Sequence, residues 1–397
     1  MTTEATVRAP EAPDGRRRGR VKCVVWDLDH TLWNGVLLEG DPCDVRPEVV
    51  EVIRHLDSIG ILHSIASKND PAVAHQRLAE LGLTDLFLHP QIGWHPKSES
   101  IQRIATSLNI GLDAVAFVDD QPFELAEVAY ALPQVLRVDV ADLADAVRQP
   151  EFQPRFITDE SRTRREMYRT QIVREDAERE FTGTNEDFLR SLDMVFTIAR
   201  AEREHLQRAE ELTIRTNQLN STGRTYSYDE LDAIRVRDDH LLLVASLTDA
   251  FGSYGTIGLA LVEKGETHWS LRLLLMSCRV VSRGVGMVLL NHVTQLARDA
   301  GATLRADLVE TGRNRMMQVT YAFAGFQEIA REGDRLVLER APDLPLPPAS
   351  YVRLITEPTE VTEPSEVTEP SEVTEPSEVT EPTEPSESSE PSGTGAP

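Results

Sequence analysis

The sequence predicts an α/β protein: a doubly wound parallel sheet, then a second α+β domain, then a disordered acidic tail. Three observations carry this. Over residues 21–140, short apolar runs alternate with helical stretches, the pattern of βαβ units. After residue 186 the apolar runs lengthen and lie close enough to pair as antiparallel neighbours. From Glu357 onward a Thr-Glu-Pro-Ser-Glu-Val motif repeats with one Val and one Pro at most per repeat, too little to build a core. The expected organisation is an arm over residues 1–20, a first domain over 21–150, a helical linker over 151–185, a second domain over 186–345 and a tail over 346–397.

Charge narrows the classes. Lys and Arg total 41 against 66 Asp and Glu, a net of −25. The segment from Thr356 to Pro397 holds twelve Glu and no Lys or Arg, so the remainder stands at −25 + 12 = −13. An acidic balance argues against nucleic acid, which needs a basic footprint. No apolar run approaches the roughly 18 residues of a membrane span, and the N-terminus lacks an apolar leader. Three cysteines, Cys23, Cys43 and Cys278, fit free thiols in a reducing cytosol. A cytoplasmic protein is expected.

The first domain reads in order. Cys23-Val-Val-Trp26 is a buried parallel strand. Trp33 to Asp41 is a glycine-punctuated excursion over its end. A helix spans 46–60, with Pro47 early and Gly60 as its stop. Ile61 to Ser67 is a strand, about Pro71 to Leu81 a helix, and about Ser98 to Leu108 another. Ala114 to Val118 is a strand, Phe123 to Ala131 a helix, and Val135 to Val138 the closing strand.

Three of these strands end in polar residues, where open α/β sheets place ligands. The first runs into Asp27-Leu-Asp29-His-Thr31, the second into Ser67, the third into Asp119-Asp120. A D-x-D-x-T at a strand end suits phosphoryl transfer. Asp27 is the candidate nucleophile, Asp29 the general acid and base, and Thr31 a phosphate and loop ligand. Ser67 can bind phosphate, and Lys97 can neutralise phosphate and nucleophile. Asp27, Asp29, Asp119 and Asp120 are the candidate ligands of Mg2+, which prefers carboxylate oxygens.

In the second half, Thr158 to Thr182 reads as a largely solvated helix and Glu186 to Leu192 as a short one. Met194 to Ala199 is a strand and Arg203 to Leu219 a helix. Leu241–Ala245, Gly255–Val262 and Trp269–Met276 are neighbouring strands. A helix over Val285–Ala300, a strand over Leu304–Leu308, a helix around Met316–Ala324 and a strand over Leu336–Glu339 follow. Between the third of those neighbouring strands and the long helix lies Ser277-Cys278-Arg279-Val-Val-Ser-Arg283-Gly284-Val-Gly286.

Residues 21–140 resemble the haloacid dehalogenase superfamily, whose four motifs match as Asp27/Asp29/Thr31, Ser67, Lys97 and Asp119/Asp120. The short spacings after Leu32 and Ser67 leave no room for a large cap domain. The strand, glycine turn and helix around Gly284 resemble the cofactor element of GNAT-type acyltransferases, where a helix N-terminus receives a pyrophosphate or pantetheine arm.

The pairing resembles the FkbH-like proteins of polyketide assembly. Trp26–Trp33, Ser67–Asp70, Trp94–Ser98 and Asp119–Glu124 carry the likeness, with Arg215–Gln218, Asn220, Asp249–Gly252 and Met276–Arg279. His30, Gln121 and Ala250 depart from the residues usual there. The resemblance implies a glyceryl transferase/phosphatase that takes 1,3-bisphosphoglycerate, removes phosphate and loads the glyceryl unit onto an acyl carrier protein. It also implies Cys278 as the acylated thiol beside Arg279, with Asn217 and Gln218 orienting thiol or substrate. Thiol chemistry alone leaves Cys278 open between nucleophile and packing residue, and the order of the two reactions stays open. The alternative is a Mg2+-dependent phosphatase acting on another phosphorylated protein or small molecule.

Overall fold

The computed structural model of the chain describes residues 20–347 and 350–356. The arm expected over 1–20, Arg20 apart, and the repeat tail beyond Thr356 lie outside those residues.

The first sheet is parallel throughout. It contains β1 (Cys23–Trp26), β2 (Leu62–Ser67), β3 (Gln91–Ile92), β4 (Val115–Asp119) and β5 (Leu136–Asp139), in the order β3-β2-β1-β4-β5. The helices are α1 (Pro47–Ser58), α2 (Pro71–Glu80), α3 (Lys97–Ser107), α4 (Pro122–Ala131) and the short α5 (Leu143–Ala146). Alternation along β1 separates two cores. Val24 and Trp26 pack with Ile53 of α1 and Leu78 of α2. Cys23 and Val25 pack with Ile101 of α3 and Val128 of α4. A central strand covered on both faces must be apolar at every position, as β1 is. Each fully buried valine contributes about 1.5–3 kcal/mol. Trp26 is level with Ile65 and Val118, so Asp27 and Asp119 emerge side by side.

Between the sheets run α6 (Asp159–Arg162), α7 (Arg164–Glu180) and α8 (Asn185–Ser191). Helix α7 corrects the expectation of a solvated linker. Its Arg174 is buried and forms a bidentate pair with Asp249, at 2.8 and 2.9 Å, and its Arg164 is buried against Glu211. Asp249 also accepts from Tyr254 Oη and from the amides of Phe251 and Gly252. The charges that made this segment read as solvent-facing are its anchors.

The second sheet has eight strands: β6 (Met194–Arg200), β7 (His240–Asp249), β8 (Gly252–Glu263), β9 (His268–Met276), β10 (Thr303–Val309), β11 (Phe326–Glu332), β12 (Arg335–Arg340) and β13 (Val352–Thr356). Their order is β11-β12-β10-β9-β8-β7-β6-β13. β7, β8 and β9 are antiparallel neighbours, as expected, and β9 and β10 are parallel. The associated helices are α9 (Leu206–Arg215), α10 (Tyr228–Arg235), α11 (Val285–Asp299) and α12 (Arg315–Phe323).

Two expectations are corrected here. The helix expected through Leu219 ends at Arg215, because the next residues run beside β9: the Met276 amide donates to Leu219 O and the Ser221 amide to Leu274 O. Cys278–Arg283 is a 3-10 turn leading into α11, which begins at Val285 as expected. The segment from residue 346 is not all tail, since Val352–Thr356 pairs in parallel with β6 and covers its edge. Among the described residues, no helix is long and apolar enough to cross a membrane.

Candidate active site

The loop after β1 is held by its own apolar residues. Leu28, Leu32 and Trp33 are fully buried, and Leu28 O accepts the amides of Thr31, Leu32 and Trp33. The Asp27 amide continues the β1–β4 ladder by donating to Val118 O at 3.0 Å. His30 takes a left-handed conformation (φ 55°), and Gly35 (φ 92°) packs where a Cβ would stand 2.7 Å from Asp41. These turns put Asp27, Asp29 and Thr31 on one rim.

Lys97, the first residue of α3, reaches into this rim. Its Nζ lies 2.8 Å from Asp27 Oδ1 and also binds Asp119 Oδ2, and all three residues are buried. The Gln121 amide donates to Asp119 Oδ1 at 2.8 Å, and Thr31 Oγ1 donates to Asp120 Oδ1 at 3.3 Å. Burial lifts the Asp27 carboxyl to about 6, against the pull of Lys97. Burial raises Asp119 as well, again opposed by Lys97. Burial works to lower the Lys97 ammonium, but the carboxylates of Asp27 and then Asp119 outweigh it and raise the group.

Asp27, Asp119 and Asp120 can each offer an oxygen within 4.8 Å of the others. That donor set fits a hard divalent cation completed by water and phosphate oxygens. The Asp29 carboxylate, expected among the ligands, is not in this group. Its Oδ1 accepts from Trp33 Nε1 at 2.7 Å and the Leu37 amide at 3.2 Å, and its Oδ2 accepts from Asn69 Nδ2 at 3.1 Å. Such orientation suits an acid–base group better than a ligand. Asn69, two residues past Ser67, carried no signal in the sequence beyond its place in Ser67–Asp70. Ser67 ends β2 beside this rim and is buried.

Residues 33–131 match the family of haloacid dehalogenase-like hydrolases. The chain carries a haloacid dehalogenase-like hydrolase domain. Magnesium-dependent phosphatase 1 of Homo sapiens is 28% identical over 127 residues, 27% of this chain and 72% of that protein. A solved N-terminal part of a Bacteroides fragilis protein, containing a phosphatase domain and complexed with Mg, is 27% identical with a TM-score of 0.29. That match covers 34% of this chain and 41% of the other, so this chain spans less than half of it. The PaiA N-acetyltransferase of Thermoplasma acidophilum, solved with coenzyme A, is 18% identical, with 36% of this chain and 98% of that one covered and a TM-score of 0.31.

Cys278 lies away from the hydrolase site. Its Sγ is 4.0 Å from Asn109 O, just past the C-terminal end of α3, whereas Lys97 begins that helix. The half-buried thiol lines a cleft of about 490 Å3, together with Asn217 and Gln218, both exposed. Lys22, Gly111 and Gln134 line it too; each precedes a strand of the hydrolase sheet. The cleft therefore borders the amino ends of the strands whose carboxyl ends bear Asp27 and Asp119. Arg279, expected among the substrate- and phosphate-binding residues, donates to Tyr254 O at 3.0 Å and to Ser277 Oγ at 3.4 Å. At the N-terminus of α11, Arg283 is fully buried against Glu178, and a Cβ on Gly284 would meet Tyr351 Oη at 2.5 Å.

Proposed function

We propose that the chain is a glyceryl transferase/phosphatase with two separate centres. At the first, Asp27 attacks the phosphorus of a phosphate ester in line, and Asp29 protonates the departing oxygen. Asp29 then takes a proton from water, which attacks the aspartyl phosphate, frees Asp27 and yields inorganic phosphate. Lys97 balances charge on Asp27, and Thr31 and Ser67 face the phosphoryl oxygens. Mg2+ held by Asp27, Asp119 and Asp120 would neutralise charge developing on the transferred group.

At the second centre, Cys278 displaces phosphate from the acyl phosphate of 1,3-bisphosphoglycerate. The resulting thioester passes to the phosphopantetheine thiol of an acyl carrier protein. The observation that carries this reading is the Cys278 thiol lining an open cleft among polar side chains. The test is intact-protein mass spectrometry after incubation with 1,3-bisphosphoglycerate, Mg2+ and a holo carrier protein. A glyceryl adduct on the carrier is expected, lost in Cys278→Ala. In Asp27→Asn a phosphoglyceryl adduct should persist. Absence of adducts on both proteins removes the transferase.

The distance between the centres favours a second reading, a phosphatase whose other domain selects the substrate. Equal activity of wild type and Cys278→Ala on the natural substrate would decide for it.

A further inference from the structure

Behind Cys278 the cleft narrows into a pocket of about 60 Å3 whose walls include Lys22, Arg164, Arg208, Arg215 and Arg279. Few carboxylates answer these five cations. Glu211 serves three of them: it pairs with Arg164, with Arg208 at 2.6 Å and with Arg215 at 3.1 Å. Glu160 lies 3.8 Å from Arg208. Asp113, farther off, is paired with Arg313 at 3.3 Å. Among the described residues, neither Lys22 nor Arg279 has a carboxylate within ion-pair distance. Lys22 Nζ donates to Arg215 O at 2.8 Å, and Arg279 donates to Tyr254 O. Five cations less two carboxylates leave three positive charges around one small cavity.

Uncompensated buried charge is costly, and a purely structural network would supply more acids. The strain is visible in the groups themselves. Burial, then Arg215, brings the Lys22 ammonium down to about 8. Burial, then Arg164, brings Arg215 to about 9, and burial with Arg208 brings Arg279 to about 10. A bound dianion would relieve all of them together. Guanidinium groups suit phosphate oxygens because their paired donors match the geometry.

We infer that this pocket is a second phosphate-binding site, separate from that at Asp27, which holds a phosphoryl group of the acyl donor beside Cys278. The anion site stands on charge and geometry; its assignment to the acyl donor rests on Cys278 being the acylated thiol. The step balances. The thiol gives its proton to solvent, and sulfur attacks the carbonyl carbon. The C–S bond forms while the C–O bond to phosphate breaks, and phosphate leaves with the electron pair. The pocket holds either that leaving phosphate or the donor's distal one. In the second case acylation precedes dephosphorylation.

The test measures alkylation of Cys278 by iodoacetamide in the full-length Asp27→Asn chain with EDTA, which silences the first site. Peptide mass spectrometry reports the labelled cysteine. Inorganic phosphate should slow labelling saturably, about tenfold at ten times its half-protecting concentration, while chloride at equal ionic strength should not. Lys22→Gln, checked by circular dichroism and melting, should raise the half-protecting concentration about tenfold. Arg279→Gln is the second variant. Calorimetry of phosphate binding should give one site per chain, weakened in both. Much stronger protection by 3-phosphoglycerate assigns the pocket to the distal phosphate; equal protection assigns it to the leaving one. Labelling indifferent to both anions, with no calorimetric site, overturns the inference. Protection without any acyl adduct on Cys278 keeps the anion site and sinks the transferase; an adduct without protection does the reverse.

Discussion

Asp27 and Cys278 lie at opposite ends of one parallel sheet, with helix α3 between them. Lys97 at the start of α3 pairs with Asp27, and Asn109, just past its end, faces Cys278. Eleven helical residues span about 16 Å. No three-carbon molecule bridges that gap, so the two centres proposed above require separately bound groups.

Independence follows. Cys278→Ala should leave turnover of p-nitrophenyl phosphate within about twofold of wild type, since nothing within the reach of Asp27 changes. A loss of about tenfold or more would show that the ends communicate.

The first centre should fail by stages. Asp27→Asn removes the proposed nucleophile and should lower kcat about 10³-fold or more. Asp29→Asn keeps the shape but not the proton transfer, and about 10²-fold is expected. Asn69→Ala, which frees Asp29 Oδ2 from one donor, should cost less than either. Steady-state kinetics on one substrate ranks the three.

Cation affinity should depend on pH. The Asp27 carboxyl lies near 6 in the metal-free chain, so it is protonated below that value and cannot ligate. Affinity should hold above pH 7 and fall as pH drops through 6, by about tenfold per unit once below it. Calorimetric titration of Mg2+ at several pH values checks this; a flat profile from pH 5 to 7.5 would contradict the placement of Asp27 among the ligands.

The Arg174–Asp249 pair is sealed, with side chains 1% and 0% exposed. Arg174→Met strands the Asp249 carboxylate and should cost about 3–5 kcal/mol, read by urea denaturation. The double variant Arg174→Met/Asp249→Leu should recover part of it.

What could be read from the sequence follows from where each signal resides. Asp27, Ser67, Lys97, Asp119 and Asp120 each sit at or beside a strand end or helix start, and Thr31 follows Asp27 in the loop after β1, which local pattern reveals. Which oxygens of Asp29 turn inward depends on Trp33, Leu37 and Asn69, and spacing carries none of that. Arg164, Arg174 and Arg208 were invisible because a charged helix reads as solvated until its partners, Glu211 and Asp249, are known. Spacing of three and seven residues along α9, Arg208 to Glu211 and Arg215, was the one available hint. The side of the first sheet that Cys278 meets is a tertiary fact. Helix α10 and β13 leave little trace in the sequence because each is short, 8 and 5 residues.

A chain ending at Thr356 keeps β13, whereas one ending at Ser350 loses it; the second should melt several degrees lower, since about 1 kcal/mol shifts Tm by about 2–4 °C in a chain this large. The pairing has a further meaning during synthesis. Val352 aligns with Met194, a separation of 352 − 194 = 158 residues. Until the ribosome has delivered Val352–Thr356, β6 offers neighbouring molecules a bare row of amides and carbonyls. Stalled or clipped chains should therefore seed precipitation, and the yield of usable protein should track how completely translation finishes.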